Sequence, residues 1–149
     1  MNLLRVEDLS VSYVTERGEL KALSEVFLEL NEGEILGVLG ESGSGKSTLA
    51  YSVLRMLPPN VKVIKGRVVF EGKDLLRLSE EELSKIRGKR LTLIPQNSMN
   101  ALSPVHKIGD QLADVLVKHE GLSKREALKV VKEKLRIAKL SEDVTNRYF

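Results

Sequence analysis

Gly40-Glu41-Ser42-Gly43-Ser44-Gly45-Lys46-Ser47-Thr48 decides the fold, because this stretch matches the pattern G-x-x-x-x-G-K-[ST]. The apolar run from Ile35 to Leu39 comes directly before it and predicts a strand covered on both faces. Apolar residues at helical spacing follow it, namely Leu49, Val53, Leu54 and Leu57. Pro58 should end this helix, because proline lacks the N–H that the next turn needs. The sequence therefore predicts a strand, a glycine loop and a helix in that order.

The residue types of the loop suit a polyphosphate ligand. Gly40 and Gly45 permit the unusual backbone angles that let the N–H groups of the loop point inward without side chains in the way. The helix that begins near Lys46 adds the positive end of its dipole, and the Lys46 ammonium can reach the β- and γ-phosphates. The Ser47 hydroxyl is placed to ligate Mg²⁺. We therefore expect a site for a nucleoside triphosphate, most simply ATP, formed by Gly40, Glu41, Ser42, Gly43, Ser44, Gly45, Lys46, Ser47 and Thr48.

Alternation of apolar and polar residues predicts several strands outside the loop. They are expected at 3–13, with a bulge near Asp8, and at 26–30, 61–71 and 91–94. Turn residues between them lie at 15–18, 31–34 and 72–74. The first third of the chain should therefore be antiparallel sheet.

Two capping-box patterns predict helix starts in the rest of the chain. They are Ser79 with Glu82, for a short helix ending near Gly88, and Ser123 with Glu126. Apolar residues at helical spacing between Ile108 and His119 predict another helix running towards Gly121. The last third of the chain should be helical.

The composition limits the class of protein. Of 149 residues, 42% are hydrophobic, which suits one domain. The 24 basic and 21 acidic residues are interspersed and only 4% are aromatic, so nucleic-acid binding is not indicated. The lack of cysteine excludes disulfides and thiolate metal sites and favours an intracellular location. No apolar run approaches the ~18 residues of a membrane span.

The loop and three further segments resemble the ATP-binding subunits of ABC transporters. The loop is similar to their Walker A motif, and 9–13 is similar to the strand whose terminal aromatic, here Tyr13, stacks on adenine. Ile94-Pro95-Gln96 resembles the Q-loop, and 122–149 resembles the helical subdomain. The resemblance implies ATP and Mg²⁺ as cofactors, with Ser47 and Gln96 as metal ligands and Gln96 as a catalytic residue.

The resemblance also implies a fold and a division of the chain. It implies an α/β fold like that of P-loop NTPases, with an antiparallel β subdomain, a partial parallel core sheet and the start of a helical subdomain. The chain would be the N-terminal part of an ABC ATP-binding domain. Residues 1–96 would form the β-rich core with Walker A, and 97–149 the Q-loop and the first part of the helical subdomain.

The string from Met99 to Pro104 is similar to the oligopeptide, dipeptide and nickel importer branch, and oligosaccharide importers share much of it. This similarity implies transmembrane permease subunits, a second ATP-binding subunit and, indirectly, a substrate-binding protein as partners. It also implies a peripheral position on the cytoplasmic face of the membrane.

Two motifs of that family are missing from the sequence. They are an apolar strand ending in Asp-Glu and the signature Leu-Ser-Gly-Gly-Gln. We therefore expect the chain to be truncated before these motifs, to lack ATP turnover of its own and to self-associate. One alternative is a self-contained small P-loop kinase or phosphotransferase. Such an enzyme should offer an acceptor site and an arginine-rich lid, yet Arg87 and Arg90 are the only close arginine pair in the middle of the chain and flank a turn. The other alternative is an inert nucleotide-binding module.

Three residues also have plain structural interpretations. Tyr13 could pack in a core or against a cross-strand neighbour instead of a base. His106 and His119 have no ligand-spaced partner in the sequence, so we interpret both as structural or solvated.

Overall fold

A computed structural model of the chain describes residues 2–96 and 98–149, with the backbone but not the side chains of Met99 and Asn100. Asn97, where the predicted second part begins, lies outside the described residues, as do those two side chains of the importer-like string. The chain forms two compact units, residues 1–84 and residues 85–149.

The first unit is built on a four-stranded antiparallel sheet. Its strands are β1 (Asn2–Thr15), β2 (Gly18–Asn31), β3 (Val61–Phe70) and β4 (Lys73–Asp74), in the order β2-β1-β3-β4. Its core is formed by fully buried side chains, which include Val6, Leu9, Val11, Val68, Leu75 and Leu83. Burying each Leu or Val side chain stabilises the fold by about 1.5–3 kcal/mol. The predicted antiparallel sheet is confirmed.

The predicted bulge near Asp8 is also confirmed. Asp8 has φ of 49°, and the pairing of β1 with β2 shifts register between Val6 and Leu9. Lys65 on β3 bonds to Asp8 at 3.1 Å and to Glu25 at 2.9 Å. Its hydrogen bonds, first to Glu25 and then to Asp8, raise the pKa of Lys65. The bulge is therefore held by an ion-pair cluster on the outside of the sheet.

The hairpin between β3 and β4 differs from the prediction by one or two residues. Glu71 and Gly72 form the turn, both at positive φ, as a two-residue hairpin turn requires. Lys73 and Asp74, predicted as turn residues, instead pair with Phe70 and Val69.

Two helices contribute to the first unit. They are α1 (Lys46–Val53) and the start of α2 (Glu80–Ile86). The capping box of α2 is formed, since Glu82 N donates to Ser79 Oγ at 3.2 Å and Ser79 N donates to Glu82 Oε2 at 2.9 Å.

α1 is shorter than predicted. It ends at Val53, so Leu57 lies outside it and Pro58 does not end it. Arg55 takes a left-handed conformation, and its guanidinium donates to the carbonyl of Leu78 at 2.6 Å. The helix thus ends where this side chain is anchored to the loop before α2.

The second unit is a helical hairpin followed by a short 3-10 turn. Its helices are α3 (Ile108–Glu120) and α4 (Lys124–Ile137), and the 3-10 turn is Glu142–Asn146; another 3-10 turn, Ser98–Ala101, precedes the hairpin. The second capping box is formed as predicted, with Glu126 N donating to Ser123 Oγ at 3.3 Å and Ser123 N to Glu126 Oε2 at 3.0 Å. Both helices pack through a small core of Ala113, Ala127, Val131 and Leu135.

Two predicted strands are wrong. Residues 35–39 and 92–95 are without regular secondary structure, and Leu91 makes only an isolated bridge with Arg87. Ile35 is 97% exposed and Leu39 is 96% exposed, so the segment is not covered on both faces. A strand needs a neighbour for its backbone N–H and C=O groups, and no neighbour pairs with either segment within residues 2–96 and 98–149. The predicted partial parallel sheet is therefore not formed there.

We expect the chain to self-associate through residues 35–39. An exposed apolar segment with unpaired backbone groups pairs readily with another chain. Replacing Ile35 and Leu39 by lysine should reduce the oligomer seen by sedimentation velocity. The matched control replaces Ile64 and Val105, two other exposed apolar residues, by lysine. A wild-type chain that sediments as a monodisperse monomer would contradict this expectation.

Candidate nucleotide-binding site

The ammonium of Lys46 lies at the centre of the glycine-rich loop. It donates hydrogen bonds to the carbonyl of Gly40 at 2.7 Å, to the carbonyl of Glu41 at 2.6 Å and to Ser44 Oγ at 3.1 Å. These contacts use all three N–H donors of the group. The loop itself thus fixes a positive charge in the middle of its own backbone.

The loop ends where α1 begins, and the start of this helix is open to an anion. Gly45 is its N-cap residue, with no side-chain cap hydrogen bond, and the first turn carries no acidic residue. The first N–H groups of the helix and the positive end of its dipole can therefore act on a ligand.

Gly45 also sets the distance between the loop and the sheet. It has φ of 92°, and a Cβ there would lie 2.7 Å from the carbonyl oxygen of Ala22 and 2.9 Å from Leu23 Cδ2. Any other residue would push the loop away from β2 or strain the backbone. Glycine at this position therefore brings the beginning of α1 against the sheet.

A cleft of about 460 Å³ lies between the loop and the sheet. It is lined by Tyr13, Leu20, Lys21, Ala22, Gly43, Ser44, Gly45, Lys46, Ser47 and Thr48. The structure thus brings Tyr13 together with the second half of the loop, as a site for base and phosphates requires. Gly40 and Glu41 take part through their carbonyls, and Ser42 lies exposed in the turn of the loop.

Three residues of this cleft were missed by the sequence analysis, namely Leu20, Lys21 and Ala22. The second strand was predicted to begin at Val26, but β2 begins at Gly18, and Leu20 is the cross-strand partner of Tyr13. A signal was present, because Leu20 and Ala22 alternate with Glu19 and Lys21 directly after the turn at 15–18.

Tyr13 is half-buried near the end of β1. Its hydroxyl lies 3.3 Å from Thr48 Oγ1, and the Thr48 side chain is buried beneath the first turn of α1. This hydrogen bond ties the aromatic ring to the helix that carries the loop. Since the ring also lines the cleft, it is available to a base, and the adenine contact stays a prediction.

The predicted metal ligands lie in different units. Ser47 is exposed in the first turn of α1, whereas Gln96 is exposed at a bend of the second unit. Within the described part of the chain, no group of three or more His, Cys, Asp or Glu side chains could hold a metal ion. Ser47 fits the mode typical of Mg²⁺ at nucleotides, in which phosphates and water supply most ligands. The roles of both residues stay predictions.

The loop and the open helix start, with the aromatic side chain beside them, have the arrangement that a P-loop offers to phosphates. The chain belongs to the ABC transporter family, whose model matches residues 23–149. Its fold is that of an ABC cassette. It is similar to the dimeric structure of a bacterial ABC transporter cassette, with a TM-score of 0.81 and 27% identity over 98% of this chain and 61% of that one.

Curated relatives agree with this assignment. The chain is 43% identical to the oligopeptide transport ATP-binding protein OppD of Bacillus subtilis over 91% of its length and 38% of that protein. It is 41% identical to a probable peptide ABC transporter ATP-binding protein of Sinorhizobium fredii over 94% of its length and 42% of that protein. The chain thus spans about two fifths of the length of these relatives.

A second structure of the same cassette, dimeric and bound to ADP and phosphate in a post-hydrolysis state, is 26% identical with a TM-score of 0.79 over 98% of this chain and 61% of that one. Among the described residues, none of the helices has the length and apolar character needed to span a bilayer.

Replacing Lys46 by alanine should remove most of the affinity for ATP and leave the fold intact. The substitution removes the charge at the centre of the loop, and hydrogen bonds to charged groups contribute about 1.5–3 kcal/mol each, so a loss of at least about tenfold is expected. Calorimetry with Mg-ATP and circular dichroism measure the two effects. Lys118→Ala, at an exposed lysine of α3, is the control. Unchanged ATP affinity in a folded Lys46→Ala protein would exclude the site.

Replacing Tyr13 by alanine should weaken ATP and GTP alike, because an aromatic face carries little base preference. By analogy with base stacking the loss is about 1–3 kcal/mol. Tyr13→Phe should retain most of the affinity, since it loses only the hydrogen bond to Thr48. A fluorescence titration with each nucleotide measures these affinities, and Tyr148→Ala, at an exposed tyrosine of the second unit, serves as the control. Full nucleotide affinity in Tyr13→Ala would leave Tyr13 with a packing role alone.

Proposed function

We propose that the chain is the nucleotide-binding part of the ATP-binding, energy-coupling subunit of an ABC importer for oligopeptides or dipeptides. The observation that carries the proposal is the position of the Lys46 ammonium, held by the loop carbonyls beside the open start of α1. A fixed cation and a row of backbone donors at one place suit a triphosphate.

The proposal assigns roles to several residues of the cleft and to Gln96. Lys46 and the N–H groups of the loop bind the β- and γ-phosphates, and Tyr13 stacks on the adenine. Ser47 would hold Mg²⁺ from the first turn of α1, and the resemblance to the Q-loop assigns Gln96 a metal-binding and catalytic role. The metal ion, when bound, neutralises phosphate charge and so lowers the barrier to phosphoryl transfer. Gly45 positions the loop against β2, so that base and phosphates are bound at once.

The partners follow from the same proposal. A similar cassette was solved as a dimer in two structures, which supports pairing with a second ATP-binding subunit, either a copy of this chain's parent protein or a paralogue. Transmembrane permease subunits would receive the energy, and a substrate-binding protein would deliver the cargo. The subunit would lie peripherally on the cytoplasmic face of the membrane.

Peptide is the cargo best supported among those implied by the sequence. The relatives with 39–43% identity carry oligopeptide, dipeptide or peptide transport in their names. Nickel and oligosaccharides are the competing cargoes. Membership of the ABC transporter family argues against a self-contained small kinase.

Peptide uptake by cells that carry the gene for this protein tests the proposal. Lys46→Ala in the chromosomal gene should abolish accumulation of a labelled tripeptide, because the importer could no longer bind ATP. Lys118→Ala in the same gene should leave uptake unchanged. Normal peptide uptake together with loss of nickel or oligosaccharide uptake would refute the peptide assignment. Normal uptake of all three would refute the transport role.

A further inference from the structure

A second cleft, of about 560 Å³, lies within the second unit, and four of its eight lining residues are cations. Lys107 lies at the start of α3, and Arg125, Lys129 and Lys132 lie on α4. Asp110 and Leu128 add one carboxylate and one apolar side chain to the lining. We refer to this feature as the basic cleft. It has no part in the proposed nucleotide site.

The shape of the basic cleft is set by a close backbone approach. A Cβ on Gly109 would lie 2.6 Å from the carbonyl oxygen of Thr145, so only glycine lets the 3-10 turn approach α3 this closely. Ile108 N donates to the carbonyl of Arg147 at 2.9 Å, and Thr145 Oγ1 donates to the carbonyl of Glu142 at 2.7 Å. The chain after α4 is thus fixed beside α3, and the cleft is a defined concave site.

The one carboxylate of the lining does not neutralise this site. Asp110 accepts a hydrogen bond from Lys124 at 2.9 Å, and this contact lowers the pKa of Asp110, with Lys107 and His106 adding to the effect. Asp110 is therefore an anion that already has its counter-ion.

The lining cations are poorly compensated. Lys132 lies 3.9 Å from Glu142, whose other oxygen accepts from Arg136 at 3.0 Å. Within residues 2–96 and 98–149, the side chains of Lys107, Arg125 and Lys129 make no hydrogen bond or salt bridge. A concave surface of one sign of charge raises the local concentration of an opposite charge. The ligand that this cleft suits is thus an anion.

The spacing of the cations favours an extended anion over a compact one. Arg125, Lys129 and Lys132 recur at i, i+4 and i+7, on one face of α4. Their Cα atoms extend over roughly 10 Å of helix, at 1.5 Å per residue. In an extended peptide, alternate side chains share a face and recur every ~6.6 Å, so two carboxylates span most of this row. A single phosphate reaches one or two of the cations, and a flat bilayer cannot enter a concave cleft.

We propose that the basic cleft binds an extended acidic segment of a partner protein. Carboxylates at alternate positions contact Arg125, Lys129 and Lys132, and an apolar residue of the segment packs on Leu128. Lys107 closes the row from α3. This proposal does not rest on the nucleotide site, and a failure of the nucleotide proposal would leave it unchanged.

The test uses a short fluorescein-labelled peptide with glutamate and leucine at alternate positions. Its binding to the protein is measured by fluorescence anisotropy at low ionic strength. We expect Arg125→Gln with Lys129→Gln to weaken binding roughly tenfold, a loss in the range of two exposed ion pairs. Lys118→Gln with Lys134→Gln removes the same charge outside the cleft and should change the affinity less than about twofold. Equal losses in the two variants would reduce the effect to net charge and overturn the proposal.

Two further measurements separate the other ligands and guard against misfolding. Arg125→Glu with Lys129→Glu should reverse the preference towards a lysine-leucine peptide, a gain that an unfolded protein would not give. Pyrophosphate that displaces the peptide at equal concentration would assign the cleft to a phosphate ligand. Binding to phosphatidylglycerol vesicles that is lost in the Arg125→Gln, Lys129→Gln protein, with no peptide binding, would assign it to the membrane. Either result would overturn the proposal.

Discussion

The contact between Gly45 and the carbonyl of Ala22 is the constraint on which the nucleotide cleft depends. There is no room for a Cβ at this point, and the left-handed backbone of Gly45 turns the chain from the loop into α1. Because β2 pairs with β1, fixing the loop on β2 also fixes its distance from Tyr13. The hydrogen bond between Tyr13 and Thr48 also ties the aromatic ring of β1 directly to α1. The ring of Tyr13 and the backbone donors of the loop are thus held at a fixed separation by these two contacts.

The sequence predicted best those features that depend on neighbouring residues in the chain. The capping boxes at Ser79 and Ser123 satisfy helix N–H groups from three residues away, so their patterns need no tertiary partner. The bulge near Asp8 was visible because a change in alternation phase is itself the signature of an extra residue in a strand. The phosphate loop could be predicted for the same reason, since its glycines and its lysine lie close together in the sequence.

Features that depend on distant residues were predicted less well. An apolar run such as 35–39 states only that the segment prefers burial, and whether it becomes a strand is decided by a partner elsewhere. The extent of α1 depended on Arg55, whose guanidinium bonds to the carbonyl of Leu78, a contact that helical periodicity does not encode. Lys21 was missed because its place in the cleft follows from the pairing of β1 with β2. Roles carried over by resemblance, above all that of Gln96, rest on the family and not on contacts in the chain.

The hydrogen bonds of Lys46 have a consequence for how the loop distinguishes anions. A free lysine side chain loses up to ~2 kcal/mol of conformational entropy when it is immobilised, and here the carbonyls of Gly40 and Glu41 have already ordered it. Because these contacts and the one to Ser44 Oγ already use the three N–H donors, a phosphate oxygen that accepts from Lys46 must displace one of these acceptors. Selection then depends on how well the ligand's oxygens take the place of the displaced acceptor, so that geometry, more than charge, separates one phosphate compound from another.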